Sequence, residues 1–416
     1  MEEILSNGNI AEAWKQVKRN GGISGIDGIT VEQFPEYFRA RWSRIKQALL
    51  KGYYIPSPVT RVEIPKKTGG TRKLGIPTVL DRMIQQAIAQ VLNTIFDHGF
   101  SEASYGFRPK RSAHGAIKRI HEYVKSGYRY AVEVDIEKFF DNVDHDILMS
   151  RVARNVGDKR VLKLIGRYLR AGVRERNGQD SPSLIGTPQG GPLSPLLSNI
   201  MLHELDCELE RKQYCFARYA DDFVVVTKTK AEGERILDEL TVFLKVKLKL
   251  TVNATKSKVV PIGESLFLGV TFRNKKIVWT EESFKEFQFR IKRYTNRSWG
   301  VSMKERLEKL NRYIRGWMNY FGISQFYRPI QDIDNWIRRR IRMCYWKMWR
   351  KPRTKIRNLA QLGIPIRLAV MNGISSKSYW RLSKTPAVNA AMSNDWLERQ
   401  GLVNVKSLWY KSQGYV

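Results

Sequence analysis

Apolar residues recur every three or four positions at Met83, Ile84, Ala87, Ile88, Val91, Leu92, Ile95 and Phe96, which predicts a core-facing helix ending near Asp97. Thr78 followed by Asp81 gives it a capping-box-like start. A second stripe, Leu196, Leu197, Ile200, Met201, Leu205 and Leu209, follows Ser194 as N-cap and Pro195 as first helical residue. Between Arg129 and Ile136 the period drops to two, with Val132, Val134 and Ile136 on one face and Ala131, Glu133 and Asp135 on the other. Asp135 therefore falls near a strand end. Phe216 to Thr227 reads as strand, turn, strand, with the turn at Ala220-Asp221-Asp222. Thr60 to Pro65 and Lys73 to Ile76 predict a hairpin whose tip, Lys66 to Arg72, is basic and contains Gly-Gly. Residues 1 to about 60 carry two short helical patterns around the glycine-rich stretch Asn20 to Gly28, and Gly186 to Pro192 is excluded from regular structure. Ser302 and Glu305 open a helix with its stripe at Leu307, Leu310, Ile314, Trp317 and Phe321, and another is expected from about Asp332 to Arg350.

Composition adds a partner to this outline. The 416 residues suffice for two to four domains, and 42% hydrophobic with 11% aromatic residues is a globular composition. The formal charge is +33, which calls for a polyanion, and nucleic acid is the expected one. No apolar run approaches the roughly 18 residues of a spanning helix, and the acidic start Met1-Glu2-Glu3 lacks a signal-peptide layout, so a cytosolic protein with no membrane partner is expected. Cys207, Cys215 and Cys344 have no metal or disulfide spacing and read as small core residues. From Glu281 to Val416 there are 28 Lys and Arg against 9 Asp and Glu, so the last third is the more basic module.

Three carboxylates carry candidate chemistry: Asp135 at one strand end, and Asp221 with Asp222 at a hairpin tip 86 residues later. Hard oxygen ligands converging in an α/β palm suit Mg²⁺ and nucleotidyl transfer, whereas an isolated Asp-Asp pair is also ordinary turn chemistry.

The surrounding motifs decide between these. Tyr219-Ala220-Asp221-Asp222 after Phe216-Ala217-Arg218, and Val134-Asp135-Ile136-Glu137-Lys138-Phe139-Phe140, resemble the catalytic motifs of reverse transcriptases. With Ser104-Tyr105-Gly106-Phe107-Arg108-Pro109, Thr187-Pro188-Gln189-Gly190-Gly191-Pro192-Leu193-Ser194-Pro195 and Phe267-Leu268-Gly269, the chain is similar over nearly its whole length to group II intron reverse transcriptases, also called maturases. The resemblance implies an α+β right-hand polymerase, with fingers and palm built of antiparallel sheet plus helices and an α-helical thumb or X domain. It implies N-terminal extension and fingers over 1–120, palm over 121–275, thumb over 276–350 and a short basic DNA-binding region over 351–416. The implied activity is cDNA synthesis from an RNA template by two-metal nucleotidyl transfer, together with intron RNA binding for splicing and retrohoming. Implied partners are RNA template, intron RNA, DNA primer or target DNA, and dNTPs.

Carried over residue by residue, Asp135, Asp221 and Asp222 are catalytic and, with the Ile136 carbonyl, hold two Mg²⁺ ions, for which Mn²⁺ can substitute. Lys66 and Arg72 clamp the triphosphate, Phe140 is a steric gate against the ribose 2′-hydroxyl, and Gln189 lies against the sugar. Lys256 matches the lysine that protonates pyrophosphate, although Lys258 lies nearby. Arg108, Gly190, Lys304, Arg312, Arg315, Arg338, Arg339 and Arg342 are the candidate template or RNA contacts, with Arg108 alternatively supporting the fingers. Neither Cys nor His follows Cys344, so an H-N-H nuclease is not expected and the resemblance is to the compact bacterial group IIC class. Two alternatives remain open, a maturase whose polymerase is dispensable and a related reverse transcriptase domesticated for repair or defence. Phe140 argues against a third, an RNA-dependent RNA polymerase.

Overall fold

The computed structural model describes residues 1–65, 71–175, 178–181 and 185–415 and divides into two compact units, Met1–Ser265 and Leu266–Val416. The basic tip of the first hairpin, with Lys66, lies outside the described residues.

In the first unit, strands β1 (Val59–Pro65) and β2 (Thr71–Ile76) form the expected antiparallel hairpin, and β1 also pairs in parallel with the short β4 (Val173–Arg174), which meets β5 (Asp180–Ser181). The larger sheet joins β3 (Tyr130–Val134), β6 (Cys215–Tyr219), β7 (Asp222–Thr227) and β8 (Lys258–Pro261) in the order β6-β7-β3-β8, all antiparallel. Both faces of β3 are covered. Val132 and Val134 enter the main core while Ala131 is fully buried on the other side, so only Tyr130 and Glu133 of this strand keep partial exposure. The helix Lys230–Leu248 lies so close to this sheet that a Cβ on Gly233 would come within 2.7 Å of Val259.

Helix Val79–Phe96 is capped as expected, the Asp81 N–H donating to Thr78 Oγ1 at 3.0 Å. The Asp81 carboxylate itself is a buried hub, accepting from Tyr54, Tyr168, Thr78 and the Ser57 N–H. Burial pushes its pKa above the usual carboxylate value against the pull of those donors. One expected cap is corrected. Helix Ser194–Arg211 starts with Leu193 at the cap position, and the Ser194 hydroxyl donates instead to the Pro188 carbonyl at 2.7 Å, tying down the preceding loop.

The second unit pairs β9 (Val270–Arg273) with β10 (Lys276–Trp279) and packs helices Glu281–Tyr294, Met303–Phe321 and Arg328–Met348 around Phe287, Leu310, Ile314, Ile337 and Ile341. Ser302 caps the second helix, accepting from the Glu305 N–H at 3.1 Å. The terminal helix Val405–Ser412 adds Val405 and Trp409 to this core, and Trp346 anchors another with Leu359, Val388 and Met392. Residues after 351 thus share their apolar interior with the helices before it.

Candidate active site

β6 and β7 are joined by a two-residue turn, Ala220-Asp221, closed by the pair Tyr219↔Asp222. Ala220 has φ +60° while Asp221 does not, the sign pattern of a type II′ turn that matches strand twist. A non-glycine residue there carries about 1–2 kcal/mol of strain, as functional turns often do. The β3·β7 register runs to Val134↔Phe223, and one further step sets Asp135 opposite Asp222 with Asp221 adjacent in the turn. The acids therefore converge because β7 is the neighbour of β3, despite the long chain between them.

Burial pushes the Asp221 carboxyl above its ordinary value. Its own backbone N–H and the Arg72 guanidinium pull it back down, and the Asp135 charge pushes it up. Asp135 is held from behind, its N–H donating to Ser257 Oγ at 3.0 Å and its carbonyl accepting from Asn253 N–H at 2.8 Å. Lys256 Nζ stands 3.6 Å from Asp135 Oδ2, whereas Lys258 reaches Glu133 at 3.9 Å, which separates the two lysines that sequence alone left together. Ile136 bridges Val252, but the hydrogen bonds there are made by Glu137 and Asp135, so this contact does not use the Ile136 carbonyl.

Among the described residues no three His, Cys, Asp or Glu side chains form a ready metal-binding group. The donor set still fits a divalent cation. Carboxylate and carbonyl oxygens are hard ligands, and Asp135 and Asp221 repel one another with an ammonium group already drawn to one of them.

Two cavities flank Phe140. One, about 480 Å³, is lined by Lys73, Lys138, Asn142, Pro188 and Gln189, and is of small-ligand size. The other, about 690 Å³, is lined by Gln86, Asn93, Phe107, Gln189 and Gly190. Phe139 is buried in the core while Phe140 turns to the cavities, their rings edge to face at 5.1 Å. The loop between is fastened on several sides: Thr187 N–H donates to the Phe140 carbonyl at 2.7 Å, and Gly75 N–H to the Gln189 carbonyl at 2.7 Å. Gly190 has φ +126°, and a Cβ on it would meet the Gly75 carbonyl at 2.6 Å, so only glycine fits.

The Ser104–Pro109 segment supports the Ala220-Asp221 turn. Tyr105 N–H donates to the Arg218 carbonyl and Arg218 N–H to the Ala103 carbonyl. A Cβ on Gly106 would sit 2.2 Å from the Ala220 nitrogen. Gly106→Ala is therefore expected to cost about 1–3 kcal/mol through overpacking, lowering Tm and primer extension together. A wild-type rate in a thermal-melt-matched preparation would contradict this.

Arg108 is corrected from template contact to support. It is buried, with Nε on Asp97 at 2.7 Å and its other nitrogens on the carbonyls of Asp97, Ser101 and Ser104. In the second unit Arg338 and Arg342 are likewise withdrawn as RNA contacts. Arg338 is buried between Asp334 (2.6 Å) and Glu398 (2.8 Å), and Arg342 donates to the Met392 carbonyl and to Asn394. Arg339 is half-buried and stacked on Trp380 at 3.6 Å. Lys304, Arg312 and Arg315 are exposed. Sequence reasoning assigned no role to Arg218, Asp206, Asn199 or Phe107. The available signal was a charge at a core position on each of two elements, Arg218 within β6 and Asp206 within the stripe Leu202, Leu205, Leu209.

Carboxylates brought together at neighbouring strand ends of an antiparallel sheet fit a polymerase-type palm. Residues 64–272 match the reverse transcriptase (RNA-dependent DNA polymerase) family, and residues 284–363 match the group II intron maturase-specific domain. Protein YkfC of Escherichia coli is 34% identical over 284 residues, 59% of this chain and 74% of that protein. Group II intron-encoded protein LtrA of Lactococcus lactis is 43% identical over 197 residues, 47% of this chain but only 32% of its own length. A putative COX1/OXI3 intron 2 protein of Saccharomyces cerevisiae is 26% identical, across 62% of this chain and 37% of that one. The chain belongs to the reverse transcriptase family, in its group II intron-encoded reverse transcriptase and maturase branch.

Proposed function

We propose that the chain copies RNA into DNA with Mg²⁺ and dNTPs, and that it binds intron RNA to assist splicing and retrohoming. The observation that carries this reading is the register that sets Asp135, one residue past β3, beside Asp221 in the turn and Asp222 at the start of β7, with Lys256 at its side. Asp135, Asp221, Asp222 and the Ile136 carbonyl would hold two Mg²⁺, which lower the cost of charge on the attacking 3′-hydroxyl and the leaving pyrophosphate. Arg72, with Lys66 beyond the described residues, neutralises the triphosphate. Gln189 packs against the sugar, Lys256 Nζ gives a proton to the leaving pyrophosphate, and Phe140 fills the volume of a 2′-hydroxyl. Lys304, Arg312 and Arg315 take RNA phosphates.

The direct test is primer extension on an RNA template with an annealed DNA primer, Mg²⁺ and dNTPs. Product with dNTPs supports the polymerase. A folded, RNA-binding protein that makes none would leave the maturase reading, which the match over residues 284–363 favours. The gate has its own test. Phe140→Val is expected to raise rNTP incorporation strongly while sparing dNTP incorporation, and unchanged sugar selectivity removes the assignment.

A further inference from the structure

Arg218 is fully buried in β6 and is not within reach of either cavity, yet all three of its guanidinium nitrogens are engaged. Nε and Nη2 grip the two carboxylate oxygens of Asp206, itself fully buried, at 2.7 and 2.5 Å. Nη2 also donates to Ser104 Oγ at 2.8 Å, and Nη1 to Asn199 Oδ1 at 3.1 Å and the Ala220 carbonyl at 2.9 Å. Asn199 passes the link onward, donating from Nδ2 to the Gly106 carbonyl at 2.8 Å, and Gly106 is the residue packed against the Ala220 nitrogen. The peptide on each side of Ala220 is thus gripped by one network, and Ala220 is the positive-φ residue immediately before Asp221.

We infer that Arg218, paired with Asp206, is a positioning residue that holds the Ala220–Asp221 turn in the geometry at which Asp221 and the adjoining Asp222, with Asp135, bind divalent metal. The inference rests on the polymerase reading of this site. A purely structural role does not account for the arrangement, because buried ion pairs are commonly replaceable by apolar side chains without loss of stability, and no apolar side chain can donate to the Ala220 carbonyl. Charge alone does not suffice either. A lysine would still neutralise Asp206, but its single ammonium cannot span Asp206, Asn199, Ser104 and the Ala220 carbonyl as the planar fork does.

The experiment uses the full chain and two variants, Arg218→Lys and the paired Arg218→Met/Asp206→Leu, the second removing both charges so that neither is left buried alone. Mn²⁺ binding is followed by electron paramagnetic resonance of the free ion, alongside Tm, kcat and the dNTP KM. Groups that orient metal ligands from behind typically contribute 10- to 100-fold in affinity or activity. The expected result is Mn²⁺ binding about 10- to 100-fold weaker in both variants, with kcat falling by a similar factor and KM for dNTP nearly unchanged. A folded variant of either kind with wild-type Mn²⁺ affinity and kcat, whatever its Tm, overturns the inference. If Arg218→Lys does not fold, the paired variant decides. Wild type that binds Mn²⁺ but extends no primer would sink the polymerase reading, while the Mn²⁺ arm would still judge Arg218.

Discussion

Asp221→Asn is expected to abolish primer extension, by at least about 10³-fold, because metal stabilisation of the reacting oxygens is worth several kcal/mol and each 1.36 kcal/mol is tenfold in rate. The same substitution is expected to leave the metal-free protein no less stable. Asp221 is a partly buried carboxylate facing the like charge of Asp135, and burial holds its pKa above the ordinary value, so the unligated fold gains nothing from its ionisation. Activity and stability should part company at this position, unlike at Gly106, where they fall together. The check is a pair of measurements on one preparation, single-turnover extension and a thermal melt in chelator. A rate within tenfold of wild type would remove Asp221 from the catalytic set. A large loss of Tm would mean that its role is structural.

The second large effect concerns salt. Each phosphate contact contributes about 0.7 to 0.9 to the slope of log affinity against log salt, depending on whether the nucleic acid is single- or double-stranded. Replacing Lys304, Arg312 and Arg315 together by Gln should flatten that slope by about 2 to 3 while the helix Met303–Phe321, whose core faces elsewhere, stays folded. Arg338→Gln should behave oppositely. It strips a buried ion pair with Asp334 and Glu398, lowering Tm without changing the salt slope. Binding isotherms on a structured RNA from 50 to 400 mM KCl separate the two patterns. An unchanged slope in the triple variant would place the RNA contacts on other cations.

These contrasts also mark what could be read from the chain. The hairpin β6–β7, the helix Val79–Phe96 and the capped helix Met303–Phe321 were legible because each follows from local period, cap and turn chemistry. The acids were legible as candidates from their strand ends amid apolar residues, and as a set only through the motifs around them. The arginines were not. Asp334, Arg338 and Arg342 stand four residues apart along one helix face beside Ile330, Ile337 and Ile341, and what converts that face from solvated to buried is a cover from residues 392–398, half a hundred positions away. Ser194 was misplaced for a similar reason, since its hydroxyl finds Pro188 in the loop rather than its own helix. Charge in a sequence declares a need for a partner. Whether that partner is phosphate, carboxylate or a peptide carbonyl depends on tertiary packing.

The strand order β6-β7-β3-β8 has a consequence for how the protein comes into being. Asp135 needs β7 at its flank, Ser257 and Asn253 behind it, and β8 beyond, all emerging from the ribosome more than 80 residues later. Such non-local pairing is slow to form and leaves strand edges open meanwhile. A nascent chain halted before β7 would display Asp135 with nothing to complete its site, so polymerase competence should arrive late in synthesis and in one cooperative step.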